Sequence, residues 1–348
     1  MEEIKSAWID SAKKNDNIVV SSRIRIARNL SDFSFPTKIS KEQSKALKNE
    51  IYKIFENDDN MNSYDIQDLS QIERQSLVDK RLISPQFAKI DIIATGLLVN
   101  KKGSLSVMIN EEDHLRIQSI QPGLKLSECY DETSALDGYL EKKLKYAYDS
   151  QLGYFTSCIT NLGTGLRASV MLHLPALVMT GNISKSLNAI AKLGFVARGI
   201  YGEGSETLGN MFQISNQITL GRSEEEIIAN LNSVISRLVE QEKSARNYLK
   251  EEYNLTLEDQ VGRALGILKY CQKITSGEAM KLLSDLRVGL DMDLISGIDV
   301  KLINLLIYKI QPASLQLVAG EEFSSSDRDI IRAKVLRQNL KGVETNDR

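Results

Sequence analysis

The chain is poor in the residues that build metal centres and disulfide frameworks. It has three cysteines, Cys129, Cys158 and Cys271, far apart and odd in number; they fit neither a zinc site nor a disulfide scaffold. It has two histidines and neither an HExxH nor a CxxC pattern, so a protein-built metal centre is not expected. No GxxxxGK[ST] loop is present, so phosphates would have to be held by side-chain cations rather than by that backbone cradle. With no apolar run of about 18 residues and no leader pattern, the expectation is a cytoplasmic protein without membrane contact. Charge of one sign is not in excess: 44 Lys and Arg stand against 46 Asp and Glu, a net charge of -2. That balance does not favour nucleic acid as a partner.

What is present is length and pattern. The 348 residues suffice for two domains with substantial cores. Residues 1–17 read as a polar arm, loose or a short helix, carrying Trp8. A strand runs from Ile18 towards Leu30, and Arg23 and Arg25, two apart, share one of its faces. Two neighbouring cations invite an anion between them, although solvated edge arginines would look the same. Ser40 with Gln43, and Ser70 with Glu73, open two helices as capping boxes. Ile90 to Ile120 reads as strands turned at Asn100–Gly103, and Asp131 to Tyr148 has helical spacing. Ile183–Leu193 is a helix stopped by Gly194, and Phe195–Ile200 a strand delivering Arg198 into a glycine-bracketed loop. Met211–Leu220 returns as a strand, and Ser223 with Glu226 caps a helix to about Lys250. Beyond it, Leu257–Gln272, Ser276–Val288, Asp299–Ile310 and Ser325–Leu340 carry helical periodicity, and the tail from Gly342 is expected to fray. The chain therefore reads as α+β: an arm at 1–17, a mixed domain at 18–250 and a small all-helical domain at 251–348.

The central stretch is Gly153 to Pro175, GYFTSCITNLGTGLRASVMLHLP. Ala168, Val170, Leu172 and Leu174 alternate as in a strand, and Gly163 and Gly165 permit a tight turn close to a ligand. A cysteine and an arginine flanking such a turn suggest an anion-handling site. A buried loop with a core thiol and a surface arginine fits the pattern equally well.

Three motifs carry a resemblance: LGYFTSCITNLGTGLR at 152–167, NEEDHLR at 110–116 and SSRIRIARN at 21–29. Together and in this order they resemble the signatures of the phosphagen kinases, the ATP:guanido phosphotransferases, and most of all their bacterial protein-arginine kinases. The resemblance runs from about Ile18 to the C-terminus and departs at Ile159, where the family usually has proline. It implies an antiparallel β-sheet flanked by helices, a helical C-terminal domain, and phosphoryl transfer from ATP with Mg²⁺.

Such a transfer is mainly positioning and charge stabilisation, and arginine binds phosphate bidentately without losing its charge. By resemblance Arg23, Arg25, Arg116, Arg167 and Arg198 bind the nucleotide. They lie within the segments Ser21, Ser22, Arg23, Ile24, Arg25; Arg167, Ala168, Ser169, Val170, Met171; and Arg198, Gly199, Ile200, Tyr201, Gly202, Glu203. Arg81 stands where related sequences carry a histidine before LISP and is counted with the nucleotide side. The acceptor guanidinium is protonated, with a pKa above about 12, so a carboxylate must orient it and take a proton. The resemblance gives that task to Glu112 with Glu203 as second carboxylate, and leaves open which takes the proton. Glu111 competes locally with Glu112, and strand neighbours point oppositely. A solvated acidic turn is the plain alternative. Cys158 matches the family's reactive cysteine, in an orienting role.

RDIIRA resembles the RDxxRA motif of the bacterial kinases and implies a phosphoarginine-binding site at Arg328, Asp329, Arg332 and Ala333. Arg328 and Arg332, four apart, share a helix face near a positive N-terminus. An amphipathic helix with solvated arginines is the default otherwise. Small-guanidine kinases carry a helical domain before the catalytic one, and here the extra helices follow it. Arginine on another protein is therefore the expected acceptor. The resemblance further implies bacterial protein quality control: a heat-shock repressor among the substrates, a zinc-binding activator protein, a Clp protease system and a homo-oligomer, at least a dimer. A free-guanidine kinase and a non-enzymatic phosphoarginine-binding adaptor are the alternatives.

Overall fold

A computed structural model describes residues 4–9, 18–199 and 208–346 of the chain. The elements in the first half are β1 (Val19–Arg28), α1 (Lys41–Ile54), β2 (Met61–Asp65), α2 (Gln71–Asp79), β3 (Gly96–Asn100), β4 (Leu105–Ile109), β5 (Leu115–Pro122), α3 (Leu126–Glu141), β6 (Tyr148–Asp149), β7 (Gly153–Tyr154) and β8 (Leu166–His173). After them come α4 (Pro175–Met179), α5 (Ile183–Ala191), β9 (Phe195–Arg198), β10 (Met211–Asn216), α6 (Glu224–Glu252), α7 (Asn254–Tyr270), α8 (Ser276–Asp291), β11 (Ile295–Ser296), α9 (Val300–Lys309), α10 (Pro312–Ala319), α11 (Ser325–Asn339) and β12 (Glu344–Thr345). The helix starts follow the capping chemistry: Ser40, Ser70, Ser223 and Thr275 each accept from the backbone N–H three residues on.

Eight strands form one sheet in the order β2-β3-β4-β5-β1-β8-β10-β9. The pairs β2–β3, β3–β4, β4–β5 and β1–β5 are antiparallel. The β1–β5 register sets Ala27 opposite Arg116, Arg25 opposite Gln118 and Arg23 opposite Ile120. Directly opposed residues share a face, so Arg23, Arg25 and Arg116 project from the same side. Ile24, Ile26 and Ile117 fill the other side and are fully buried.

The chain divides into two compact units. One comprises Met1–Trp8, Ser21–Val170 and Ser215–Asn232; the other Ile9–Val20, Met171–Ile214 and Ser233–Arg348. The first has an apolar cluster built on Ile66, Leu77, Leu82, Phe87, Leu97, Val99 and Met108. The second is mostly helical, with α7 packed so closely on α8 that a Cβ at Gly289 would stand 2.5 Å from Val261 Cγ1. Its buried Glu242 caps α4, accepting from the N–H groups of Ala176 and Leu177 at 3.1 and 3.0 Å. Among the described residues no helix is long and apolar enough to cross a membrane.

One expectation is resolved and two are corrected. Of the two forms expected of the arm, the short helix is found, a 3₁₀ turn at Ala7–Ile9: Trp8 is buried, its Nε1 donates to the Lys80 carbonyl at 3.1 Å, and Lys80 Nζ donates to the Ile4 carbonyl at 2.7 Å. An indole buries too much apolar area to stay in solvent when a partner surface is available. The helix expected over 131–148 stops at Glu141, because Tyr146 bridges Leu30 and Ala147 N–H donates to the Asn29 carbonyl at 2.8 Å. The tail does not fray at Gly342: Val343 is buried and β12 pairs with β11.

Candidate active site

The arginine-bearing sheet face is the site's foundation. Arg23 Nε donates to Ser169 Oγ at 3.4 Å and Arg167 Nη2 to Ser215 Oγ at 3.2 Å. Arg81 Nη1 donates to Ser21 Oγ at 3.2 Å, and its guanidinium lies 4.0 Å from the centre of the Trp8 ring. Strand alternation therefore sorts the predicted segments: Ser21, Arg23, Arg25, Arg167 and Ser169 share the cationic side. Ser22, Ile24, Ala168 and Val170 are turned away and buried, with Ser22 Oγ donating to the Gly123 carbonyl at 2.8 Å. Met171 is buried at the next alternate position of β8.

The guanidiniums crowd one another. Burial first, then Arg116, Arg81 and Arg167, pushes Arg23 down to about 9. Burial and the charges of Arg23, Arg116 and Arg167 push Arg25 well below its ordinary value, with Glu111 opposing. A guanidinium holds its proton in almost any protein setting, so these depressions register the cost of burying positive charges, and of burying them side by side. Arg25 Nε is buried with no hydrogen-bond partner among the described residues. The face fits a polyanion that brings its own acceptors.

The NEEDHLR turn separates its acids. Asn110, at φ +61°, reverses the chain between β4 and β5, and its amide donates to the carbonyls of Ser44 and Ala94 at 3.0 and 2.7 Å. Glu111 is buried and accepts from the Ser84 hydroxyl and from Arg116 Nη1. Burial would raise its pKa, but Arg116 and Ser84 outweigh it and hold the carboxyl below the usual range. Arg116 is raised in turn: burial lowers it, and Glu111 more than compensates. Glu112 is exposed. Partial desolvation, then Asp113, pushes its carboxyl up, against Arg116. A carboxylate reachable from solvent, with a raised pKa, suits proton acceptance better than Glu111 does.

Asp113 ties this turn to the cysteine segment. One carboxylate oxygen, Oδ1, accepts from Asn29 Nδ2 and from Ser157 N–H, both at 2.6 Å. The link joins the turn that carries Glu112 to the segment that carries Cys158. Cys158 is half-buried, with Sγ 3.0 Å from Thr160 Oγ1. His114 is structural: Nδ1 accepts from Leu30 N–H at 3.0 Å and Nε2 lies 2.9 Å from the Ser34 carbonyl.

The glycine turn is braced by Arg28. Its Nε and Nη2 donate to Asp137 at 3.1 and 2.6 Å, and Nη1 donates to the Thr164 carbonyl at 2.8 Å. Its guanidinium stacks 3.4 Å from the Tyr154 ring centre. Gly163 and Gly165 have φ of +105° and +66°, and a Cβ at Gly165 would stand 2.6 Å from the Ala27 carbonyl. Asp113 and Arg28 are site-building residues that sequence reasoning left without a role, and Glu111, weighed there only as a competitor to Glu112, is instead the partner of Arg116; their presence inside the recognised motifs was the available signal.

Arg198 is half-buried at the end of β9 and Gly199 is buried. Ile200, Tyr201, Gly202 and Glu203 lie outside the described residues. On α11 the two arginines have different surroundings. Arg332 is buried, with Nε donating to the Ile310 carbonyl at 2.9 Å and Nη1 to Ile274 O at 2.9 Å and Asp329 Oδ1 at 2.5 Å. Arg328 Nη1 donates to the Phe323 carbonyl at 2.7 Å, and Ala333 is buried. Helical spacing put both arginines on one side but could not tell that the second one packs inward.

Known proteins resemble this chain along most of its length. The family model described as the ATP:guanido phosphotransferase C-terminal catalytic domain matches residues 42–245. That of the protein-arginine kinase McsB C-terminal domain matches 254–348. The chain is 46% identical to a protein-arginine kinase of Syntrophomonas wolfei over 345 residues, 97% of this chain and 96% of that one. It is also 46% identical to one of Geobacillus stearothermophilus over 341 residues, 97% and 94% of the two chains. Among solved structures it resembles the duplicated taurocyamine kinase of Schistosoma mansoni, with TM-score 0.60 and 28% identity. That likeness covers 74% of this chain and 39% of the duplicated one. Lombricine kinase, with TM-score 0.58 and 22% identity over 70% of this chain and 73% of its own, is similar in fold.

Proposed function

The chain belongs to the ATP:guanido phosphotransferase family, in its protein-arginine kinase branch, and on that premise we propose that its guanidinium face takes the phosphates of ATP while Glu112 and Cys158 receive an arginine side chain of another protein. The activity is ATP-dependent phosphoryl transfer to protein arginine. The observation that carries the residue assignment is that Arg23, Arg25 and Arg116 project from one face of the sheet, beside Arg167, with Arg25 Nε buried and without a hydrogen-bond partner among the described residues.

In this reading Arg23, Arg25, Arg116 and Arg167 neutralise charge as the bond between the γ-phosphorus and the ADP oxygen breaks. A terminal nitrogen of the acceptor arginine forms the new P–N bond and releases a proton to Glu112. Glu203 would be the second carboxylate, and Arg198 a further phosphate ligand. Cys158 orients the acceptor. Glu111 keeps Arg116 charged and aimed, and Asp113 holds the two acceptor segments together. Mg²⁺, when bound, adds charge neutralisation and is carried mainly by the phosphates.

The same reading extends to a cytoplasmic setting and to bacterial stress response. The partners would be protein substrates including a heat-shock repressor, a zinc-binding activator protein, a Clp protease system and a second copy of the chain. A phosphoarginine site on α11 would rest on Arg328 and the helix N-terminus, with Asp329 and Arg332 bracing it. The test is peptide mass spectrometry after incubation with Mg-ATP and casein. Acid-labile phosphate on arginine, absent with Glu112→Ala, is the expected result. Turnover of free arginine or creatine without protein modification would indicate a small-guanidine kinase. Neither activity, with activator present, would leave a phosphoarginine-binding adaptor.

A further inference from the structure

The acceptor side of the site carries apolar side chains that the chemistry above does not use. Ile159, directly after Cys158, is 82% exposed, and Ile218 and Leu220 are 48% and 46% exposed. The two segments are stitched together. Thr219 lays its hydroxyl between the carbonyls of Thr160 and Leu162, at 3.0 and 2.7 Å. A Cβ at Gly163 would stand 2.9 Å from Leu220 Cα, so the backbones touch. With Thr219 turned in towards the cysteine segment, Ile218 and Leu220 on either side of it are left to solvent. Single exposed aliphatics are ordinary, but three on adjoining segments beside a reactive centre point to an interaction.

We propose that Ile159, Ile218 and Leu220 form an apolar subsite for the residues flanking the target arginine in an extended segment of a protein substrate. This rests on the protein-arginine kinase reading. The occupant follows from continuity with Cys158: whatever presents its guanidinium there must lay its neighbouring residues along this rim. A free guanidine has no neighbouring side chains to cover it. A stable dimer needs about 1,000 Å² or more of buried surface, well beyond what three side chains supply. The rim residues carry no charge, so the selection is for aliphatic or aromatic flanks rather than for charge. Ile159 also supplies a branched side chain where the family usually has proline, which gives the rim its most exposed member.

The experiment compares two peptides of equal length and net charge, with arginine flanked either by Leu and Phe or by Ser, and uses casein as control. The full-length chain should phosphorylate the apolar peptide with a kcat/KM about 5- to 10-fold higher, expressed mainly in KM. Ile159→Ser, and separately the double variant Ile218→Ser/Leu220→Ser, should erase about 3- to 10-fold of that preference. The Ser-flanked peptide should be unaffected by either. Equal kcat/KM for the two peptides, or variants that slow both peptides alike, would overturn the subsite. Failure to phosphorylate casein and both peptides would instead overturn the kinase reading on which it rests.

Discussion

Replacing Glu111 with glutamine preserves the size of the side chain and its acceptor oxygen but removes the charge that faces Arg116. Glu111 is 6% exposed and the Arg116 side chain 19%. Removing one partner of a buried pair costs about 3–5 kcal/mol. Glutamine still accepts from Ser84 and Arg116, and Arg116 retains some solvent, so about 2–3 kcal/mol is expected. For units of this size that lowers Tm by roughly 4–12 °C. The same change leaves the face more positive, which should tighten phosphate binding by on the order of 1 kcal/mol, about five-fold. Thermal melts with and without Mg-ATP or tripolyphosphate, and a fluorescent-ATP titration, measure both effects. The Glu111→Gln variant should melt lower without anion, gain more from added anion than the parent, and bind ATP more tightly. An unchanged Tm, or weaker ATP binding with an intact circular dichroism spectrum, would refute the charge-balance reasoning. The pH dependence has a fixed sign. Glu111 is held below the ordinary carboxylate value, so its stabilisation is present above about pH 4.3 and lost as pH falls through the folded value. Parent and variant should converge in stability at that acid end.

Asp113→Ala should leave one buried and one half-buried donor, Asn29 Nδ2 and Ser157 N–H, without an acceptor and cost about 2–4 kcal/mol. It should lower kcat while leaving the KM for ATP unchanged, and Asp113→Asn should recover part of the loss in steady-state assays. His173 is held well below its ordinary pKa by burial first and then by Arg287 and Arg246. The fold therefore keeps it neutral while the unfolded chain protonates, and its share of stability is complete above about pH 6.5. Below that it is lost at about 1.4 kcal/mol per pH unit. Urea titrations at pH 7.5 and 5.5 should show the loss, and His173→Gln should lessen it. Gly289→Ala should destabilise by about 1–3 kcal/mol because its Cβ meets Val261. Gly262→Ala, with nothing within 4 Å of a Cβ, should stabilise by about 0.5–1 kcal/mol. Denaturation midpoints of the two variants check the contrast.

Much of the fold was legible where a residue's role is local. The Ser40, Ser70, Ser223 and Thr275 caps and the alternation of β1 and β8 depend on neighbours within a few positions, and each is found where the pattern put it. The helix α10 was missed: its eight residues are too few for a clear period. Its remaining signals were Pro312 at the start and Gly320, at φ +73°, at the end. The packing of Trp8 on Lys80 and the pairing of β12 with β11 join distant positions, so no window of sequence contains them. The site shows the same division. Arg23, Arg25 and Arg167 could be put on strand faces by period two. That Glu111 is spent on Arg116, that Asp113 holds the cysteine segment and that Arg332 faces inward are facts of tertiary geometry.

The most direct test of the assignment is a single-turnover experiment on Glu112→Gln with radiolabelled ATP and an arginine-bearing protein, alongside an ATP-binding titration of the same variant. Loss of proton acceptance should slow transfer about 10²- to 10⁴-fold, while the ATP Kd stays within about two-fold of the parent because the guanidinium face is intact. Transfer at the parental rate would contradict the role given to Glu112. Loss of ATP binding in step with transfer would contradict the separation of a nucleotide face from an acceptor turn.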